Sequence, residues 1–211
     1  MTRYNHHGDL CLNIWADAYA DNLFDFPPNA RVLEIGCAEA DWMTPMLALR
    51  PDLQITGIDW RGCKRPGTVI KGDILAQHFA PASFDAIVGI SSVEHIGLGH
   101  YDADPRALDG DVMCMMRAAK WLTPGGWAYL DVPYNALGYT VRGTECRVYD
   151  DVALAERLVP GAFHPGRLMG VSRLVESHRW YANRGGHVIP KPEPRPLPDF
   201  DYVALLLTKP V

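Results

Sequence analysis

The sequence predicts an α/β fold in which a mostly parallel sheet is covered by helices on both faces. Three observations carry the prediction. Short apolar runs alternate with helical patterns along most of the 211 residues. The first run, Val32-Leu-Glu-Ile, breaks into Gly36 and is followed by a helical stretch and a second run, Ile55 to Ile58, ending on Asp59. The later run Phe84 to Ile90 is almost continuously apolar, as a strand buried on both faces must be.

Residues 9–24 read as an amphipathic helix, with Leu10, Ile14, Ala18 and Leu23 on one side and Asp17 and Asp21 on another. Pro27 and Pro28 end it, so residues 1–28 form an N-terminal helical extension or lid on a single domain of residues 1–211. Arg31 to Ile35 form the first strand. Trp42, Met46 and Leu49 give helical spacing from Asp41 to Leu49, and Pro51 follows its end. The second strand closes on Asp59. Thr68 to Lys71 form a third strand running into Gly72-Asp73-Ile74, and Phe84 to Ser91 a fourth. Val112, Met116, Ala119 and Leu122 predict a helix over 109–122, and Met113, Met115 and Met116 read as core filling. Pro124-Gly-Gly126 turns into the strand Trp127 to Val132. A helix over 150–158, a strand within 168–176 and a last strand over 202–208 complete the pattern. The alternating prolines of 190–198 favour an extended connection.

Composition narrows the function classes. The chain carries net charge -5 and a pI near 5.9. It therefore offers no long-range attraction to nucleic acid, although Arg61, Lys64 and Arg65 form a local basic cluster. No apolar run approaches the ~20 residues that span a bilayer, and the first residues lack the apolar stretch of a signal peptide. A cytoplasmic location, no membrane partner and reduced thiols are the expectations. The five cysteines are odd in number and show no paired C-x-x-C spacing.

A glycine turn after the first strand lets a ligand approach the backbone, and an acid at the end of the second can accept from both ribose hydroxyls. An adenosine-containing cofactor follows. Dehydrogenases share that arrangement, but this first motif lacks G-x-G-x-x-G.

Several motifs in order resemble those of the class I S-adenosylmethionine-dependent methyltransferases. Val32 to Ala40 resembles the first motif, Ile55 to Asp59 the second and Gly72-Asp73-Ile74 the third. Ser83 to His95 resembles the fourth, and Leu122 to Leu130 the segment after it. Ser91-Ser-Val-Glu-His95 and Arg147-Val-Tyr149 are similar to elements of one less characterised branch. The resemblance implies a Rossmann-like three-layer αβα sandwich with a seven-stranded sheet, its last strand antiparallel beside the fifth. It implies S-adenosyl-L-methionine as cofactor, with Glu34 anchoring the glycine loop and reaching the methionine amino group. Gly36 and Ala38 would pass close to the donor, Asp59 would hold the ribose, and Trp60 would pack on the adenine. Asp73 and Ile74 would bind the adenine edge, and Ile90 and Ser91 would flank the methionine part. Ala38 and Ala40 stand where the family usually carries glycine, which leaves a weakened or altered donor site open.

Methyl transfer to a hydroxyl needs a base near the donor methyl. Ligands of open α/β sheets bind at the carboxyl ends of the strands, which places His95 there as base, with Glu94 orienting it or acting itself. The alternative is that both merely satisfy backbone groups. Asp102, Asp104, Asp109 and Asp111 could supply oxygen ligands with His95 or His100, but Asp109 as N-cap and Asp111 in the first helical turn explain themselves better, so no metal is assigned. Tyr134 and Asn135 are expected to face the pocket. Trp180 and Tyr181 line an acceptor site or fill core, and His6 and His7 are solvated or part of a lid. Asn135-Ala is not the N-P-P-Y element of enzymes that methylate nucleic-acid amino groups, so nucleic acid is not the expected substrate. The expected function is methyl transfer to a small or medium-sized acceptor, through oxygen and with sugar as one candidate, by a protein that forms a homodimer or acts alone. The rival readings are a noncatalytic donor-binding subunit working through a protein partner, and a nonmethylating use of the same cofactor.

Overall fold

The computed structural model describes residues 11–12, 15–16, 18–20, 24–101, 106–159, 169–173, 180–182 and 201–211. Its main sheet is built from β1 (Arg31–Ile35), β2 (Gln54–Asp59), β3 (Thr68–Lys71), β4 (Phe84–Ile90) and β5 (Leu122–Tyr134), all parallel in the order β3-β2-β1-β4-β5. A hairpin, β6 (Thr140–Arg142) and β7 (Cys146–Val148), forms a separate two-stranded sheet. Beyond β5 the main sheet continues through β10 (Asp201–Thr208), β8 (Met169–Arg173) and β9 (Trp180–Ala182). The last strand therefore runs antiparallel beside the fifth, as expected, with Asp201 opposite Tyr134 and Thr208 opposite Trp127. The sheet has eight strands rather than seven. The extra one, β9, pairs antiparallel with β8 and covers an edge that would otherwise present unpaired backbone groups.

Side-chain alternation divides the core between the two faces of the sheet. On β10, Val203, Leu205 and Leu207 join one cluster while Tyr202, Ala204 and Leu206 join the other. The first cluster takes Cys114, Met115, Ala118 and Trp121 from helix α2 (Gly110–Trp121) and Leu154 and Leu158 from the turn after the short helix α3 (Asp151–Ala153). The second takes Trp42, Met43 and Met46 at helix α1 (Met43–Leu49) and the N-terminal aromatic residues. Trp15 meets Trp42 edge-on at 5.4 Å, and Phe24 lies 4.8 Å from Trp127. The described parts of the expected first helix, 11–12, 15–16 and 18–20, are helical and belong to this layer; Leu10, Ile14, Asp17, Asp21 and Leu23 lie outside the described residues.

Three local expectations are corrected. On α2 the buried face runs through Cys114, Met115, Ala118 and Trp121, so Met113 and Met116 are exposed rather than core filling. On α1, Trp42 and Met46 are buried but Leu49 is 67% exposed. The Pro124-Gly-Gly turn does not precede β5 but bulges from it: Phe84 pairs with Leu122 and Ala86 with Trp127, so the residues between loop out of the ladder.

Candidate donor and acceptor site

A cavity of about 420 Å³ opens at the carboxyl ends of β1, β2 and β4, within the size range of small-molecule pockets. Nine of the sequence-derived site residues line it: Gly36, Asp59, Trp60, Asp73, Ile74, Ile90, Ser91, Glu94 and His95. Glu34 and Ala38 do not, and none of the described residues before 35 does. Ala40 lines it instead.

One end of the cavity is set by β1 and β2. Gly36 turns with φ +85°, and a Cβ there would collide with the Ser92 side chain, so the β1 and β4 ends approach as they do only because this residue is glycine. The Asp59 carboxylate is held by backbone: Ala38 N–H donates to Oδ2 at 3.1 Å and Arg61 N–H to Oδ1 at 2.8 Å. Ala38 thus acts through its amide, from behind the cavity wall. The Arg61 side chain also folds back, with Nε 3.2 Å from Asp59 Oδ1 and Nη1 2.5 Å from Glu39 Oε1, and stacks 4.2 Å over the Tyr101 ring. Arg65 reaches Asp41 at 3.4 Å and the Ala38 carbonyl at 3.4 Å. Two arginines of the basic cluster are thereby committed to local acids, not presented as a patch. Asp73 lines the cavity while its Oδ1 accepts from Leu75 N–H at 2.8 Å, capping the 3-10 turn Ile74–Ala76.

Glu34 lies beneath the glycine turn, buried, with neither carboxylate oxygen hydrogen-bonded among the described residues. Burial pushes its carboxyl up to about 8, against the opposing pull of Arg65. Such an orphaned buried acid fits a cationic group arriving from the cavity.

The other end is set by β4, the 3-10 turn Val93–His95 and the β6–β7 hairpin. Ser91 sits at φ +43°, an uncommon conformation for a residue with a side chain, and is pinned there twice. Its N–H donates to Asp131 Oδ1 at 2.7 Å and its hydroxyl to Glu94 Oε1 at 2.7 Å. Glu94 is wholly buried, which raises its pKa and favours the neutral acid. His95 Nδ1 hydrogen-bonds the Glu145 carbonyl, which can only accept, so Nδ1 carries the proton and Nε2 the lone pair. Nε2 is 3.6 Å from Glu94 Oε1, too long for a hydrogen bond, so Glu94 is a neighbour of that lone pair and does not orient the ring. His100 repeats the pattern with Nδ1 3.2 Å from the Thr144 carbonyl, and its ring stacks on His95 at 5.0 Å.

Tyr134 and Asn135 do not reach the cavity. The Tyr134 hydroxyl donates to Asp151 at 3.2 Å, and Asn135 Oδ1 accepts from Leu137 N–H at 2.9 Å; Pro133 lines the wall in their place. Asp109 and Asp111 turn to arginines. Asp109 makes no side-chain cap and pairs with Arg157 at 3.1 Å, while buried Asp111 sits between Arg157 at 2.7 Å and Arg147 at 3.4 Å. Asp102, Asp104, His6, His7 and the side chains of Trp180 and Tyr181 lie outside the described residues, as does the proline segment 190–198. Sequence reasoning missed Arg142 and Glu145 as wall residues; the Arg142-Gly143 turn, with Gly143 at φ +56°, was the available hairpin signal.

A family described as methyltransferase domain matches residues 4–188. The sequence matches no curated protein. Solved structures of similar fold include the 1,6-didemethyltoxoflavin N1-methyltransferase of Burkholderia thailandensis, bound to 1,6-didemethyltoxoflavin and S-adenosylhomocysteine. It is 14% identical, with a TM-score of 0.56 over 100% of this chain and 92% of that one. The partner of the Trm112 methyltransferase activator in a complex from Haloferax volcanii is 12% identical, with a TM-score of 0.58 over 99% of this chain and 91% of its own. The [4+2]-cyclase SpnF is 16% identical, with a TM-score of 0.55 over 97% of this chain and 81% of that one. Among the described residues no helix is long and apolar enough to cross a membrane.

Proposed function

From the premise that the chain belongs to the methyltransferase domain family, we propose that it binds S-adenosyl-L-methionine in this cavity and transfers its methyl group to a small or medium-sized hydroxyl-bearing acceptor, a sugar being one candidate. The observation that carries the donor assignment is the charge of the pocket. Glu39, Asp59, Asp73 and Glu145 line it against Arg61 and Arg142, so the lining is acidic on balance, and the unpartnered Glu34 lies beneath. A dinucleotide pyrophosphate would meet repulsion there; a ligand carrying an ammonium and a sulfonium would meet attraction. Asp59 would hold the ribose, Trp60 and Ile74 the adenine with Asp73 at its edge, and Ile90 and Ser91 the methionine part. Glu34 would balance the ammonium. When bound, the donor supplies an electrophilic methyl carbon on a cationic sulfur.

The chain's own contribution to transfer is placement of a proton acceptor. The His95 lone pair, fixed by the Glu145 carbonyl, can take a hydroxyl proton as the oxygen becomes nucleophilic. Burial pushes the Glu94 carboxyl beside it toward its neutral form. The stacked His95 and His100 rings with Tyr101 offer flat surfaces of a kind that sugar or aromatic rings pack against.

The second reading, a noncatalytic donor-binding subunit acting through a protein partner, draws on Ala38 and Ala40 and on a fold neighbour complexed with an activator. Calorimetry with S-adenosylmethionine, S-adenosylhomocysteine and NAD tests the donor assignment. Micromolar binding of the first two and none of the third is the expected result; preference for NAD would overturn it. Donor binding without methyl transfer to any extract component would favour the second reading, and a product other than S-adenosylhomocysteine a nonmethylating use.

A further inference from the structure

The sulfurs of Cys37 and Cys63 approach to 3.0 Å across two loops that frame the cavity. Cys37 follows Gly36 in the turn after β1, and Cys63 lies in the turn after β2, four residues past Asp59. Both are free thiols, Cys37 buried and Cys63 half-buried. Cys37 cannot retreat: its sulfur fills the notch above Gly57, where an added Cβ would meet it and the Met43 sulfur each at 2.9 Å.

We infer that Cys37 and Cys63 are a modification site that closes into a disulfide and staples the two donor-binding loops together, an inference that rests on the donor assignment for its effect on ligand binding. A peroxide is a sufficient oxidant. The more accessible Cys63 sulfur attacks one peroxide oxygen; the O–O bond breaks, one water leaves, and a sulfenic acid remains. The Cys37 sulfur displaces that oxygen, forming the S–S bond and releasing a second water with the remaining thiol proton. Two thiols lose two hydrogens and one peroxide becomes two waters; a thiol reductant reverses the change.

The bond also acts on the donor site. A disulfide needs its sulfurs at about 2.05 Å, and since Cys37 is wedged, Cys63 makes most of the approach. That draws the segment carrying Arg61 inward and holds its guanidinium on Asp59, where the ribose hydroxyls need the same lone pairs. Oxidation therefore weakens donor binding, and bound donor opposes oxidation by the same factor.

The test is peroxide titration of the reduced full-length protein, followed by peptide mapping, thermal melting and calorimetry with S-adenosylmethionine. The expected result is a Cys37–Cys63 linked peptide, a melting temperature raised by roughly 5 °C or more, and donor affinity at least about threefold weaker, all reversed by dithiothreitol. Cys63→Ser, treated identically, shows none of these and binds donor like the reduced parent. Oxidation of Cys63 to higher acids without a link to Cys37 overturns the inference, as does a linked protein with unchanged affinity. If the reduced protein does not bind donor at all, the donor assignment fails, while the linked peptide and the melting shift still decide the thiol pair.

Discussion

Asp59 and Arg61 show how two residues can both build and bar a site. The carboxylate is aimed by two backbone amides, from Ala38 and from Arg61, which persist whatever the side chains do. The Arg61 guanidinium takes further lone pairs of the same oxygens, and each carboxylate oxygen has only two. Donor binding must therefore displace the Arg61 side chain. Asp59→Ala removes charge-assisted acceptors for the ribose and is expected to weaken S-adenosylmethionine binding at least tenfold, roughly the worth of one such hydrogen bond; unchanged affinity in calorimetry would refute its role. Arg61→Ala should act in the opposite direction. The pair it breaks is a third exposed, so its strength is that of a surface ion pair, about 1 kcal/mol or less, and donor affinity should rise by about two- to fivefold. Weaker binding in that variant would show instead that Arg61 contacts the donor directly.

At the level of elements, the strands and their motifs were legible because the signals are local. An apolar run ending in Gly36, another ending in Asp59 and a third over Phe84–Ile90 appear in the sequence within a residue of where they fold. The hairpin side of the cavity was not legible, because it lies some fifty residues beyond His95. Nothing near His95 in sequence announces that the Glu145 carbonyl will choose its tautomer. Separation in sequence likewise hid Cys37 from Cys63 and concealed the side-chain partners of Asp111, since Arg147, Tyr149 and Arg157 all lie later in the chain. Arg147 is the fastening of this hairpin. Fully buried on β7, it donates to the carbonyls of Glu94 at 3.2 Å, Ile96 at 2.8 Å and Leu108 at 2.9 Å, joining the His95 turn to the start of α2. Arg147→Met keeps much of the volume but strands those carbonyls and one side of Asp111. The expected cost is about 3 kcal/mol or more, read as a melting temperature lowered by roughly 6 °C or more. A smaller loss for the same substitution in an Asp111→Asn background would confirm that the buried acid is the source.

Across the whole molecule, stability should peak in mildly acidic solution, because two sets of carboxyls pull in opposite directions. Glu34 and Asp131 are both buried, and burial raises each to about 8, with Glu94 raised as well. Between the ordinary carboxyl range and pH 8 the folded state then holds protons that the unfolded chain has released. Unfolding releases protons, so stability falls as pH rises through that window. Asp85 and Asp52 behave conversely: the Arg31 guanidinium and the Arg50 guanidinium hold them low, so the stability they lend is present at neutral pH and is lost as pH drops below the ordinary carboxyl range. The two slopes meet near roughly pH 5. Thermal melts from about pH 4 to pH 8.5 should trace that maximum, and Glu34→Gln separates the terms. The amide cannot ionise, so the variant should gain on the parent as pH rises, being most stabilised relative to it near pH 8 and little changed near pH 5. A melting difference independent of pH would mean that Glu34 is already ionised in the folded protein, with its charge neutralised by a partner such as Arg65. Donor binding reverses the preference at the same residue, since an ammonium beside Glu34 favours the carboxylate. Saturating S-adenosylmethionine should therefore flatten the alkaline limb of the parent's profile more than that of Glu34→Gln; equal flattening in both would remove Glu34 from the proposed donor site.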